Sequence, residues 1–598
     1  MIFLLIKPGL GKLRLAILLD ADSITDGGVS HLCLLPIFSL SMATKSQLRK
    51  RSKKRSAALS EQTTEEPVLT RKEQRAKERE VAKARANLIQ FTVLAFVASG
   101  VVGLLLGLMV EPTLGVAATA SLLCLSLSFK YQRQALYAFI IYIPFSGTVT
   151  YVLGGNALLQ LAKDAFYIPA LIGVIQMCRK KRLDILLPEA IKVPLVLVLS
   201  IVILNILLVN LPQQIQADGS ERPLLMGILG LKILLGYLPV ITCIYYLMRT
   251  SEDLYFLLRL QAVLVIVTCI LGFTQYLMLR TGICPGTEGL GVDGVELFRA
   301  SLQSRCFVGG SLLYSPSQGQ IRLPGTFVAP WQWGWFLIAS AFFSFGTAFN
   351  DRSPFWRLVG IVSLVVIFVM AVVSGQRIAL FLVPIVVGGL SILTGQVANL
   401  KRFVPIGVIL GLILVGLTAR NPELLQERVE SFEARWNASP PHEFVAQQFE
   451  EALDAQNGIL GNGVARATNG ARLFGNIRLI ETYHPKILYE LGPLGLLFVV
   501  MLYLTLTVAT FKAYRKTKDK NLRGYAASMW VFVLFISTFP YYYPLDVDPV
   551  SVYYWLAAGI ALKIPTLDKQ ERELANPKKK RRSRKRLQAD PQEASSSA

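Results

Sequence analysis

Apolar runs near 20 residues recur along this chain, parted by short polar or basic connections. They fall at 88–109, 114–129, 135–153, 162–178, 193–211, 225–248, 254–278, 331–349, 356–373, 378–397, 403–419, 487–511, 525–539 and 550–564. About 20 residues is the length that crosses a bilayer as a helix. None of the runs alternates with the period of a strand, and lipid admits only helices and closed barrels. The pattern predicts an all-α, polytopic transmembrane helical bundle of about fourteen spans.

Composition agrees. The chain has 598 residues, is 53% hydrophobic and has a mean hydropathy of +0.48. Its net charge of +23 is unevenly spread. One basic block runs over 45–85, and Lys578-Lys579-Lys580-Arg581-Arg582-Ser583-Arg584-Lys585-Arg586 forms another near the end. Such runs suit nucleic acid, but both flank spans and neither has interleaved aromatics. They read instead as cytoplasmic anchors beside membrane lipids, with no nucleic-acid partner.

Charge also sets the expected topology. With the first basic block inside, the cytoplasmic connections carry Lys130 and Arg133, Arg179 to Arg182, Arg249, Arg352 and Arg357, Lys401 and Arg402, and the basic cluster from Lys512 to Arg523. The other side receives 154–156, 212–222, 279–330, 420–483 and 541–548. An even number of spans with both termini cytoplasmic satisfies the positive-inside rule. The expected organisation is a basic cytoplasmic segment 1–87, a bundle 88–419 with an external loop 279–330, and an external helical loop domain 420–486. Spans 487–564 and a basic cytoplasmic tail 565–598 follow. Residues 1–41 make a poor signal peptide, since Lys12 and Arg14 interrupt the apolar part and no cleavage site follows. They read as an extension upstream of a start at Met42.

The two long external loops exceed the length usual for plain connections. In the second, Leu424, Leu425, Val429, Phe432 and Trp436 have helical spacing, and Phe444, Val445 and Phe449 begin another amphipathic piece. Pro440-Pro441 separates the two. The first loop holds Cys284 and Cys306, a possible disulfide in an oxidising compartment.

Candidate chemistry gathers on the external side. His484, one of three histidines, stands where the second loop re-enters an apolar span. It is either a base or an interfacial side chain. Arg322 precedes Pro324-Gly325-Thr326-Phe327, and Arg377 closes the tight connection Ser374-Gly375-Gln376-Arg377. Lys163 and Lys232 lie near the outer ends of their spans. Singly, Arg322 and Arg377 read as cations snorkelling to headgroups, and Lys163 as paired with Asp164 or a lipid phosphate. Together they suit a diphosphate, whose oxygens match guanidinium forks. Such a leaving group needs charge stabilisation, and an attacking hydroxyl needs a base near neutrality. The scheme calls for no metal and no cofactor.

These motifs resemble the O-antigen ligase and O-antigen polymerase (Wzy-like) superfamily of bacterial membrane glycosyltransferases. Val373-Ser374-Gly375-Gln376-Arg377-Ile378-Ala379-Leu380 is similar to its S-x-S-R-x-A signature, and Arg322 to Pro330 to its G-T-F-x-N-P stretch, with Ala329 in the Asn position. Gly458-Ile459-Leu460-Gly461-Asn462-Gly463-Val464 resembles its P-x-x-G-x-G element. The His484 block resembles H-N-x-x-L-x-x-x-x-E-x-G-x-x-G, with Pro485 in place of Asn and Glu490 directly before Leu491-Gly492.

The resemblance implies glycan transfer from an undecaprenyl-diphosphate-linked donor to an acceptor hydroxyl on the periplasmic face of the bacterial inner membrane. It implies His484 as base and Arg377 and Arg322 as diphosphate contacts; Lys232 and Lys163 join them by their place near the outer ends of their spans. The acceptor is lipid A-core for a ligase or a growing glycan for a polymerase. A small-anion, bicarbonate-like transporter is the alternative of another class, and it calls for paired broken helices at mid-membrane.

Overall fold

The computed structural model describes residues 71–575, except 110–111, 153–161, 186–187, 218, 220, most of 288–302, 311–312, 316–319, most of 397–439, 540 and 542–543. The expected extension 1–41, the basic block up to residue 70, most of the apolar run 403–419 and the tail beyond 575 lie outside the described residues. Residues 1–87 and 88–598 are two compact units. Of the first, 71–87 are described as the charged start of α1 (Arg71–Met109).

The second unit is helical almost throughout. After α1 come α2 (Pro112–Lys130), α3 (Gln132–Tyr142), α4 (Ser146–Val152), α5 (Asp164–Lys181), α6 (Lys192–Asn205), α7 (Leu211–Gln216), α8 (Pro223–Leu235), α9 (Val240–Leu247) and α10 (Ser251–Arg280). Two antiparallel pairs follow, β1 (Arg305–Cys306) with β2 (Gly309–Gly310) and β3 (Leu313–Ser315) with β4 (Gln320–Ile321). The chain continues through α11 (Pro330–Asn350), α12 (Pro354–Val373), α13 (Arg377–Leu393), α14 (Pro441–Ala455), α15 (Tyr483–Lys516), α16 (Lys520–Thr538) and α17 (Val550–Ala575).

Among the described residues, eight helical stretches are long and apolar enough to cross a membrane: Ala86–Met109, Gln132–Val152, Glu189–Gln216, Pro223–Leu247, Ser251–Arg280, Pro354–Val373, Tyr483–Lys516 and Val550–Ala575. The expected apolar runs within the described residues are helical, yet the expected count of about fourteen is not reached. The reason lies in side-chain chemistry. In α11, every residue from Trp333 to Asn350 is buried, and the helix mixes Ser, Thr, Gly and aromatics with few aliphatics. A helix enclosed by protein on all sides need not present the uniform apolar surface that lipid demands. α5 and α16 carry charges at their ends for the same loss of hydropathy.

The core lies around α11 and α17. α11 packs on α10, α12, α13 and α16, and α17 on α9, α10, α15 and α16. α17 is the last of the described helices yet the most enclosed of the eight stretches.

Hydrogen bonds sort the connections into two ends. At one, Arg133 pairs with Asp253, and Arg259 forks Asp351 at 2.8 and 2.9 Å. Arg352 forks Glu571 at 3.0 and 2.5 Å, and Asp568 accepts the N–H groups of Lys518 and Asp519. The basic connections 130–133, 249–253, 351–353 and 517–520 thus meet at this end. At the other, Thr148 N–H donates to the Thr326 carbonyl at 3.1 Å and Gln275 Nε2 to the Gly310 carbonyl at 3.0 Å. Here Cys284 and Cys306 are disulfide-bonded, with Cα atoms 5.3 Å apart, tying β1 to the end of α10.

The 420–486 region was expected to be a helical cap. Of its two amphipathic pieces, the first lies largely outside the described residues and the second is α14. Residues 456–482 are built of turns and a short 3-10 segment, Asn469–Leu473, and dock into the bundle through side chains of α6 and its extension.

Candidate functional site

Two turns make the first wall. α12 ends at Val373, and Gly375, at φ +69°, reverses the chain so that Arg377 becomes the first residue of α13. Upstream, Gly325 at φ +57° turns the chain against the Trp333 indole, where a Cβ would run into the ring. The turns are bonded to each other. Leu323 N–H donates to the Ser374 carbonyl at 3.0 Å, and Gln376 Nε2 to the Leu323 carbonyl at 3.5 Å. Arg322 and Arg377 each adjoin a residue of this junction, and both are half-buried. Beside them, the Thr326 and Ser374 hydroxyls are sealed in with no hydrogen-bond partner among the described residues.

His484 lies in the first turn of α15, half-buried, its ring edge-on to Tyr483 at 5.9 Å. The imidazole hydrogen-bonds to the backbone of Ser537 near the end of α16. Thr482 pairs with Tyr541, which fixes the entry to α15 against the 541–548 connection. Two residues beyond Ser537, Phe539 meets Trp335 edge to face at 5.8 Å. The neighbouring Gly334 faces Gln376. His484 and the arginine turns therefore occupy one end of the bundle and are linked through the start of α11.

The helix bearing His484 is broken. Gly492 has φ +69° and ψ −177°, and Pro493 follows. A Cβ at 492 would collide with the Ile459 carbonyl. The carbonyls freed by the break are recovered by the glycine-rich 458–464 segment. Asn462 N–H donates to the Tyr489 carbonyl at 2.9 Å and Gly463 N–H to the Glu490 carbonyl at 3.2 Å. Asn205 Nδ2 donates to the Glu490 carbonyl at 3.1 Å, and Asn205 and Asn210 Oδ1 both accept from Val464 N–H. Backbone polar groups at such depth are tolerated only when protein satisfies them. A second interruption separates α8 from α9 at 236–239, where the Tyr167 hydroxyl donates to the Gly236 carbonyl at 3.1 Å.

The lysines form a different wall. Lys163, just before α5, pairs with Asp548 and lies 5.5 Å from the Tyr237 ring centroid. Lys232, in the last turn of α8, pairs with Asp164 at 2.5 Å, and Tyr237 donates to the same carboxylate at 3.1 Å. On α15, Lys486 pairs with Asp546 and lies 3.7 Å from Glu490. Glu490 in turn accepts from Ala467 N–H at 2.8 Å and the Thr468 hydroxyl at 2.9 Å. Burial pushes the Asp548 carboxyl up, but Lys163, Ser551 and Lys232 outweigh it and hold it below the usual carboxylate value.

The expected four-cation pocket thus divides in two. The segments bearing Arg322 and Arg377 are bonded to each other, and Lys163 and Lys232 are each paired with a carboxylate on another wall. Sequence reading offered Asp164 as a partner for Lys163, but Asp164 holds Lys232 together with Tyr237; it missed Asp548 as the partner of Lys163, Asp546 as that of Lys486, and Asn205 as a cap for the broken helix. A signal existed: polar side chains inside apolar runs are costly and mark interior contacts. No group of three or more His, Cys, Asp or Glu among the described residues is arranged to hold a metal ion. Compared with known protein families and with curated proteins, the chain matches none.

Proposed function

We propose that this chain is a membrane glycosyltransferase of the O-antigen ligase type. It moves a glycan from an undecaprenyl-diphosphate-linked donor to an acceptor hydroxyl, and the polymerase reaction differs only in using a growing glycan as acceptor. The observation that carries this reading is the Leu323–Ser374 hydrogen bond, which sets two guanidinium-bearing turns side by side at the end of the bundle where His484 lies. In the proposed reaction His484 takes the proton of the acceptor hydroxyl. The oxygen attacks the anomeric carbon, the bond from that carbon to the diphosphate oxygen breaks, and the lipid diphosphate leaves with its charge against Arg322 and Arg377. Lys163 and Lys232 support that wall from within their ion pairs.

The proposed setting is the bacterial inner membrane, with both termini cytoplasmic and the reacting end periplasmic. Termini on one side call for an even number of crossings, and the proposed fourteen are the runs of the hydropathy pattern, enclosed helices such as α5, α11 and α16 among them. One observation lends support to the alternative of a small-anion transporter: two helical stretches, α8–α9 and α15, are interrupted.

The test is transfer by the purified chain from a polyprenyl-diphosphate glycan in liposomes. His484→Ala, at wild-type expression, is expected to lose about 100-fold or more in rate. Full transfer in that variant would falsify the base assignment. Anion uptake by the wild-type chain without glycan transfer would select the transporter.

A further inference from the structure

Lys563 lies in α17, far from the site above, at the end where the basic connections meet. Only 7% of the residue remains exposed, and no charged group among the described residues offsets its burial. Its ammonium instead sits 4.5 Å from the centroid of the Tyr245 ring. The Tyr245 hydroxyl is 3.4 Å from Thr566 Oγ1, and Gly559 lets α17 close onto Ile241 and Ile244 of α9. A ring face offsets only part of the desolvation of an ammonium.

The carboxylates further along α17 are committed elsewhere. Asp568 accepts from Lys518 and Asp519 N–H and from Arg572, and Glu571 from Arg352 and Ser251. Asp568 is level with the 517–519 connection, so Lys563 sits about 7 Å further into the bundle by the helical rise. That depth suits a lysine reaching toward lipid headgroups.

Other cations lie at the ends of α5 and α9, the helix that carries Tyr245. α5 ends in Arg179, Lys180 and Lys181, and Arg182 follows, all exposed. The next residues are tied to α9, where the Tyr246 hydroxyl donates to the Asp184 carbonyl at 2.6 Å and Thr242 donates to the Ile185 carbonyl. Arg249, just beyond α9, is exposed too.

We propose that Lys563, Tyr245 and the basic ends of α5 and α9 form a binding site for the phosphate of an anionic phospholipid. The lipid phosphate supplies the counter-charge that the protein withholds from Lys563. A basic recess between helices at headgroup depth is the usual form of such sites.

The test uses the full chain in nanodiscs of phosphatidylcholine doped with phosphatidylglycerol, with retained lipid counted by native mass spectrometry. Lys563→Met is expected to retain about fivefold less phosphatidylglycerol than wild type, and Lys563→Arg to retain it. Equal retention by Lys563→Met overturns the proposal. Should that variant fail to fold, a photoactivatable phosphatidylglycerol is applied to the wild-type chain. Labelling of 559–569 or 240–249 supports the site, and labelling confined elsewhere overturns it. Inorganic phosphate that abolishes this labelling as well as excess phosphatidylglycerol does would replace the lipid by a soluble anion and also overturn the assignment.

Discussion

Two groups of cations sit at the same end of this bundle and are held in opposite ways. The lysines Lys163, Lys232 and Lys486 are sunk among Asp548, Asp164, Asp546 and Glu490, joining elements distant in sequence. The arginines Arg322 and Arg377 ride on two glycine-containing turns whose backbones are bonded to each other. The lysine wall resembles a keystone, since its charges are spent on holding the 541–548 connection between helices. The arginine wall is shaped by backbone, which fixes where two forks start. Charges at one end of a bundle differ in what positions them: carboxylates hold the lysines, and a backbone junction places the turns that carry the arginines.

The comparison breaks most clearly at Lys486. Lys486→Met leaves Asp546 and Glu490 buried without their cation, and a destabilisation of about 3–5 kcal/mol is expected. Denaturant unfolding in detergent measures it. The double variant with Asp546→Asn is expected to recover part of the loss, and a double variant no better than the single would mean the pair is not coupled.

Arg377→Lys probes the other wall. It is expected to keep wild-type stability while transfer falls about 10-fold or more, because a point charge cannot reproduce the fork. Comparable transfer by the Lys variant removes diphosphate recognition from the proposal. Lys232→Met is the control that separates the walls, with its main effect expected on stability.

How much of this was legible beforehand varies by residue. Helicity followed from run length, and the meeting of basic connections followed from their charges. That the Arg322 and Arg377 segments belong together rested on their shared external side in the charge topology and on motif resemblance. The division between lysines and arginines was not legible, because Asp548 lies 385 residues from Lys163 along the chain. No local pattern encodes such a pair. The break at Gly492 was half visible in Gly492-Pro493, but its repair by Asn205 and the 458–464 segment depends on tertiary packing.

The smallest expected effect lies at Glu221, where Arg466 donates to the carboxylate at 2.9 Å. That hydrogen bond, against some burial, holds the Glu221 carboxyl below its ordinary value. A depressed carboxyl contributes stability above its unfolded pKa and loses it as pH falls through the folded value. Glu221→Gln is therefore expected to flatten the acid limb of a Tm-against-pH curve by at most about 1 kcal/mol. An unchanged curve would show the pair to be decorative and leave the docking of 456–482 to Asn205 and Asn210.

The enclosure of α17 carries a consequence for biogenesis. α17 is synthesised after the helices it packs against, so these reach the membrane with the faces it covers still open. Until α17 arrives, the inward faces of α9, α10, α15 and α16 meet lipid or an insertion chaperone. A truncation that removes only this final helix should leave a chain that inserts but is cleared by membrane proteases.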